Sequence, residues 1–327
     1  MKVGSARVAT THQTLGGAVQ GWLARGRALV RLGRPLFLGG SVVLYALGAA
    51  VAVVHGHMID PVLYLLGQAA VILFQLMTHY ANDYFDYEAD RANPTPTRWS
   101  GGSRVLVEGE LPRGVAFGVA LLLAAAGLGL MLRLAGMERT GPLALPTLMV
   151  VLVLSWEYSA PPLRLHSLGL GELAVALVVT TLVPFVGFYL QAPDLVGVRV
   201  LLLAVAPLCC LQFAMLLAIE VPDAAGDRAV GKRTLVVRLG TERAARLYVL
   251  TVAAAYASLP VLATAGLPKA VALAAAVPAP VALWRIARTR AGDFQRPERW
   301  ESVTFWAVAL LMGTTVVELV GITLLFV

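Results

Sequence analysis

Asp83, Asp86 and Asp90 stand at i, i+3 and i+7 in the run NDYFDYEAD (residues 82–90), and Glu220, Asp223 and Asp227 repeat that spacing in EVPDAAGD (residues 220–227). At about 100° per residue, each triplet falls on one helical face. Six carboxylates on two such faces repel one another unless a cation sits between them, and hard oxygen donors of this kind favour Mg²⁺. Metal held in this way ordinarily handles a phosphate. A single acidic cluster would read as a solvated loop; two at matching spacing, each leaving an apolar segment, read as a site. Phe85–Ala92 also aligns with Pro222–Ala229, sharing Asp and Asp-Arg-Ala at an offset of 137 residues, so the two clusters are expected to be copies of one unit related about an axis along a membrane normal.

The elements that must position these residues are membrane helices. With 58% hydrophobic and 14% charged residues and a mean hydropathy of +0.77, the 327-residue chain is too apolar for a soluble globule. Apolar windows long enough to cross roughly 30 Å of hydrocarbon fall near 36–54, 61–80, 115–134, 143–159, 170–190, 198–219, 246–266, 269–285 and 303–326. The expected fold is all-α: a polytopic bundle of nine transmembrane helices, with cytoplasmic cap loops at about 81–114 and 220–246. Pro146, Pro278 and Pro280 interrupt the fourth and eighth windows, which are the weakest spans. Residues 1–35 form a basic segment ahead of a single domain over 36–327. That segment has no apolar core before residue 36, so it reads as an interfacial stretch rather than a cleaved signal peptide.

Placing the N-terminus in the cytoplasm puts 22 of the 26 Lys and Arg residues on that side and leaves Arg133, Arg139, Arg199 and Lys269 on the other. The positive-inside rule therefore predicts a multi-pass protein of the cell membrane with its N-terminus cytoplasmic, its C-terminus outside and both acidic clusters facing the cytoplasm. Topology and anionic lipid account for the net charge of +7, so no nucleic-acid partner is implied. No obligate protein partner is inferred. Charges at membrane depth cost roughly 2.5–3.5 kcal/mol each and are retained chiefly where they line a wet cavity or a site.

Groups suited to a diphosphate flank both clusters. Arg91, Arg98 and WSGGSR follow the first, with Gly101-Gly102 freeing the backbone to approach an anion and Arg104 available to clamp it. Lys232 and Arg233 in GKRT follow the second; without a preceding strand this string is not a P-loop. His79, one turn before Asp83, is expected as a hydrogen-bonded support. The adjacent Cys209 and Cys210 are expected as packing residues.

NDYFDYEAD with GGSRVLVEG, YSAPPLRL (158–165) followed by GLGE (169–172), and EVPDAAGDRAVGKRTLVVRLG (220–240) resemble the UbiA superfamily of intramembrane prenyltransferases, from about residue 35 to the last span. The resemblance implies a nine-helix bundle in which two aspartate-rich motifs bind Mg²⁺ and an isoprenyl diphosphate. Its first motif falls on Asn82, Asp86 and Asp90 and its second on Asp223 and Asp227. Where many relatives carry Asn ahead of the second pair, this chain has Ile219, and Glu220 beside it is either a substitute ligand or an orienting group. The family also suggests a role near the diphosphate for Tyr158, with Arg164 following; the alternative for Tyr158 is an interfacial aromatic.

The expected reaction is Mg²⁺-assisted ionisation of the isoprenyl diphosphate and capture of the allylic cation by a small aromatic acceptor. The MTHYANDYFDYEAD and WSGGSRVL stretches look most like the branch that prenylates 1,4-dihydroxy-2-naphthoate for menaquinone. Other acceptors (4-hydroxybenzoate, homogentisate, porphyrin-type, glycerol ethers) or terpene cyclisation are alternatives within the family. A transporter of an anionic solute is the alternative outside it, but such a carrier wants its charges near the bilayer midplane.

Overall fold

The computed structural model describes residues 21–326, and all regular structure among them is helical. The basic segment's residues 1–20 lie outside the described residues. Its remainder forms α1 (residues 21–32), which buries Ala28 and Leu32 against Tyr80, Val105, Leu106 and Ala116 and leaves Trp22, Leu23 and Val30 exposed. That two-sided helix is an amphipathic element at the surface of the bundle.

The nine apolar windows all become helix, but they are unequal. α2 (Pro35–Val54), α3 (Pro61–Phe85), α5 (Arg113–Ala135), the run from α7 (Gly171–Leu177) through a π-helical turn (Val178–Leu182) to α8 (Val183–Tyr189), α9 (Val198–Ala229), α11 (Thr241–Ala257) continuing into α12 (Leu259–Thr264), and α15 (Trp300–Thr323) are long and apolar enough to cross a membrane. That makes seven candidate spans among the described residues, or eight if α13 (Lys269–Ala276) and α14 (Ala279–Arg290), bent by 42° at their junction, count as one. α6 (Ala144–Glu157) has 14 residues, about 21 Å of helix, which is short of the roughly 30 Å of hydrocarbon. The two weak windows are thus the short helix and the bent one.

Local chemistry explains where these helices start and bend. Asp60 caps α3, accepting from the Val62 and Leu63 amides at 2.9 and 3.2 Å, with Pro61 at the first helical position. Pro184 has no amide proton to give the preceding turn, and the π-helical turn lies directly before α8, with the Thr180 hydroxyl returning to the Ala176 carbonyl at 2.5 Å. Pro278 stands at the break between α13 and α14.

α9 is the axis of the bundle and its most buried span. It packs against α4 (Tyr87–Ala92), α7, α11 and α15, while α2 lies on α8 and α3 on α5. Small residues permit the closest crossings: a Cβ on Gly48 of α2 would fall 1.8 Å from the Pro184 carbonyl oxygen, and one on Gly187 of α8 would fall 2.2 Å from the Tyr45 carbonyl oxygen.

The expected cap loops are partly helical. α3 runs on to Phe85, and α4 follows after Asp86; α9 continues to Ala229, and α10 (Leu235–Leu239) precedes α11. The two acidic clusters therefore ride on helix ends and meet: a Cβ on Gly226 would sit 2.7 Å from the Ala89 carbonyl oxygen and 2.9 Å from Asn93. Only a glycine lets α4 and the end of α9 approach so closely.

Candidate active site

Asp86 is the C-cap of α3, with φ −91° and ψ 3°, and this break corrects the assumption of one continuous face for the first triplet. Asp83, before the break, is buried and turns to the Arg34 guanidinium and to Ser103, whose amide donates to its Oδ2 at 3.1 Å. Asp86 turns the other way. It accepts from Asn82 Nδ2 at 2.7 Å, pairs with His166 Nε2 at 2.7 Å and with Lys232 Nζ at 2.9 Å. Lys232 also reaches Asp227 Oδ1 at 3.3 Å, so one ammonium joins the first acidic cluster to the second.

Burial alone would push the Asp86 carboxyl up, but the His166 imidazole and Lys232 ammonium outweigh it and hold the group well below the usual carboxylate range. For Lys232, burial favours the neutral amine, yet Asp86 and Asp227 prevail and raise it above an ordinary lysine. Asp90, on α4, has the opposite surroundings. Burial and the charges of Asp86, Asp83 and Asp223 push its carboxyl well above the ordinary value, against a smaller opposing effect of Arg34.

Asp223 is held from the loop after α4. Asn93 Nδ2 donates to one oxygen at 2.7 Å and the Gly101 amide to the other at 3.1 Å. Gly102 (φ +73°) brings the same loop against Asp90: a Cβ there would fall 2.1 Å from Asp90 Oδ2. Gly101-Gly102 thus carries backbone up to both acidic clusters, as their freedom at positive φ permits.

Asn82, Asp86, Asp90, Tyr158, Glu220, Asp223, Asp227 and Lys232 all line one cavity. Its far part is apolar, walled by Val71, Val151, Val179, Met215, Leu311 and Met312 among others. Glu220 lies nearer the polar groups, beside Glu172 of α7 and within electrostatic reach of Lys232 and Asp227; Glu172 Oε1 accepts from the Leu235 amide at 2.9 Å. The other basic residues singled out in the sequence are not in the cavity wall. Arg91 pairs with Glu88 at 2.9 Å; Arg98 lies over Trp99; Arg104 donates to the Asp90 carbonyl at 2.5 Å, tying α4 to the loop. The Arg164 amide donates to the Ala160 carbonyl at 3.1 Å, and the Arg233 carbonyl accepts from Arg238 Nε at 2.9 Å.

Residues that the sequence reading did not select complete the polar end. Arg34 donates to Asn82 Oδ1 at 3.1 Å, Ser159 Oγ accepts from Asn82 Nδ2 at 3.0 Å, and His166 grips Asp86. His79, expected as a support, pairs through Nδ1 with the Gly33 carbonyl at 2.7 Å and lines the cavity. Cys209 approaches the hydroxyls of Thr180 and Thr181, both at 3.1 Å.

The two acidic helix ends meet around Lys232 at one cavity with an apolar wall. The pattern of the UbiA prenyltransferase family matches residues 42–317. The chain belongs to that family, and its activity is of the prenyltransferase class. It is 30% identical over 236 residues (69% of this chain, 73% of the other) to the 1,4-dihydroxy-2-naphthoate octaprenyltransferase of Escherichia coli. It is 31% identical over 238 residues (72% and 78%) to the digeranylgeranylglyceryl phosphate synthase of Halobacterium salinarum. The solved structure of a UbiA homologue from Archaeoglobus fulgidus, bound to DMAPP and Mg²⁺, shares the fold with a TM-score of 0.62 at 18% identity, covering 91% of this chain and 97% of that one.

The donor set of this UbiA member can be tested for Mg²⁺ on its own terms. Among the described residues no three carboxylate, imidazole or thiol groups converge to cage an ion unaided. Mg²⁺ does not require such a cage, because it keeps several waters and is completed by one or two carboxylates and substrate phosphates. Asp90 and Asp223 line the cavity and have no ion pair among the described residues, unlike Asp86 and Asp227. These oxygen donors would suit Mg²⁺ completed by water and substrate phosphate.

Proposed function

We propose that this chain transfers a polyprenyl group from an isoprenyl diphosphate to an aromatic acceptor, 1,4-dihydroxy-2-naphthoate, with Mg²⁺. The observation that carries the reading is the junction of Asp86, Lys232 and Asp227, which puts both aspartate motifs at the polar end of a cavity whose other end is apolar. The naphthoate prenyltransferase relative and the DMAPP- and Mg²⁺-bound homologue support it.

Asn82, Asp86, Asp90, Asp223 and Asp227 would hold Mg²⁺, which neutralises negative charge developing on the diphosphate. The residues of the chain do the rest. Lys232 offers a charged donor to a diphosphate oxygen, and its salt bridges to Asp86 and Asp227 keep it protonated and aimed into the cavity. His166 and Asn82 fix the Asp86 carboxylate. As the allylic C–O bond breaks, the diphosphate takes the electron pair. The apolar wall excludes water from the cation, and an electron-rich ring carbon of the acceptor supplies the new C–C bond. Loss of the acceptor's carboxylate as CO₂ restores the ring. Tyr158, on the cavity wall, stands near enough to this end to orient either substrate.

The chain is proposed to cross nine times, counting the short α6 and the bent α13–α14 pair, with the N-terminus and site on the cytoplasmic side; the distribution of 22 of the 26 basic residues supports this orientation. A glycerol phosphate ether is the second acceptor reading, favoured by the 31% identity to the archaeal glyceryl phosphate synthase. Incubating purified protein with Mg²⁺, geranylgeranyl diphosphate and a panel of aromatic acids and glycerol phosphate ethers, with products identified by mass, separates the readings. A prenylated, decarboxylated naphthoate product is expected; product only from the ether overturns the aromatic assignment.

A further inference from the structure

A second polar cavity, of about 210 Å³, opens between α14 and the start of α15, and no residue of the prenyl-transfer cavity lines it. Its wall is Trp284, Arg285, Arg288, Asp293, Arg299 and Ser302. Three guanidinium groups face one carboxylate, which leaves the cavity cationic. Asp293 is shared: it accepts from Arg288 Nη2 at 2.9 Å and Nε at 3.2 Å, and from Arg285 Nη1 at 3.4 Å. Arg285 is fully buried with the Tyr248 hydroxyl beside it, and its Nε and Nη2 make no hydrogen bond of good geometry among the described residues. A buried guanidinium with two idle donors is costly unless an anion or water completes it.

The surroundings say what kind of anion. Trp284, 43% exposed, adjoins the Arg285 guanidinium at 5.2 Å and packs edge-on against Trp306 at 5.3 Å; Leu283 and Phe305 beside them are 67% and 45% exposed. Tryptophans alternating with outward-facing apolar side chains mark the headgroup level of a bilayer. Five arginines lie between residues 285 and 302. A cationic cavity that opens at that level meets lipid phosphate before it meets solute.

The geometry points to a binding site for the phosphodiester headgroup of an anionic lipid, with Arg285 as the buried donor and Arg288 and Arg299 as the two outer clamps. Arginine suits this task because its planar fork matches two phosphate oxygens at once. Basic pockets between membrane helices on the cytoplasmic side are the form that such recognition takes.

Replacing Arg285 risks the fold, so the test uses the outer pair. Wild type, the double variant R288Q/R299Q, and Arg296→Gln, which lies outside the cavity wall, are reconstituted in vesicles of phosphatidylcholine doped with phosphatidylglycerol, extracted, and weighed intact for retained lipid. Wild type and Arg296→Gln should retain phosphatidylglycerol over phosphatidylcholine, and the double variant roughly tenfold less. Millimolar inorganic phosphate should not displace it. Equal retention by the double variant, or no preference between the two lipids, overturns the site. Displacement of the lipid by inorganic phosphate alone overturns the lipid assignment and leaves a free-anion site.

Discussion

Asp90 carries a tension that Asp86 does not. Three neighbouring aspartates and its own burial disfavour its charge, whereas Asp86 is held ionised by His166 and Lys232. The raised Asp90 carboxyl favours the folded protein while it stays protonated, and that contribution is lost as pH rises through its folded value. Asp86, being depressed, contributes above its unfolded value, near 3.9, and loses that contribution as pH falls. Asp90→Asn should therefore raise the unfolding temperature of the metal-free protein near pH 7, by roughly 2 °C or more. The gain should shrink at low pH, where wild-type Asp90 is itself protonated, and transfer activity should fall. An unfolding temperature at or below that of wild type near pH 7 would refute this account of the repulsion. Lys232→Met removes the ammonium that neutralises Asp86 and Asp227; activity should drop about 100-fold or more, while Arg233→Met, outside the cavity wall, should cost little. Steady-state rates of the two variants decide it. Both aspartate clusters and Lys232 were legible as types and spacings. His166 and Arg34 were not, because each is a lone residue whose partner lies some 50 to 80 positions away, and nothing local distinguishes it from a loop histidine or a surface anchor.

At the scale of elements, the site depends on how α4, α9 and the 93–104 loop pack. Gly226→Ala should force α4 off α9, costing roughly 1–3 kcal/mol of overpacking and separating Asp90 from Asp223. Lower thermal stability together with loss of activity is expected; a protein as stable and active as wild type would mean that the contact at Ala89 and Asn93 does not matter. Apolar windows announced every long helix, since twenty greasy residues have few other fates in lipid. Prolines announced the bend after α13. The break at Asp86 escaped, because an i, i+3, i+7 reading presumes an unbroken helix, and Asp83 and Asp86 end up facing different partners. For the second triplet the reading of one helical face holds, because α9 runs unbroken through Pro222 and Gly226 to Ala229; only the cap loop expected from residue 220 begins later.

For the whole molecule, the account requires both acidic clusters on one face of the membrane. Single cysteines placed at positions 95, 194 and 230, in a background with Cys209 and Cys210 replaced by alanine, report this with a membrane-impermeant thiol reagent. Positions 95 and 230 should label from the cytoplasmic side and position 194 from outside; labelling of 95 and 230 from opposite faces would break the one-site arrangement. The hydropathy pattern was enough to read an all-helical membrane bundle. The acceptor was not legible, because the side chains that line the cavity come from several helices and share no spacing in the chain.

The central claim is that the two aspartate motifs act together on a Mg²⁺-bound diphosphate. Its most direct test is the rate of prenyl transfer to 1,4-dihydroxy-2-naphthoate as Mg²⁺ is titrated into metal-stripped wild type, Asp86→Asn and Asp223→Asn. Wild type should be inactive without Mg²⁺ and activated by it, and each variant should remain about 100-fold or more below wild type at saturating metal. Full transfer in the presence of EDTA, or undiminished rates in both variants, would contradict it.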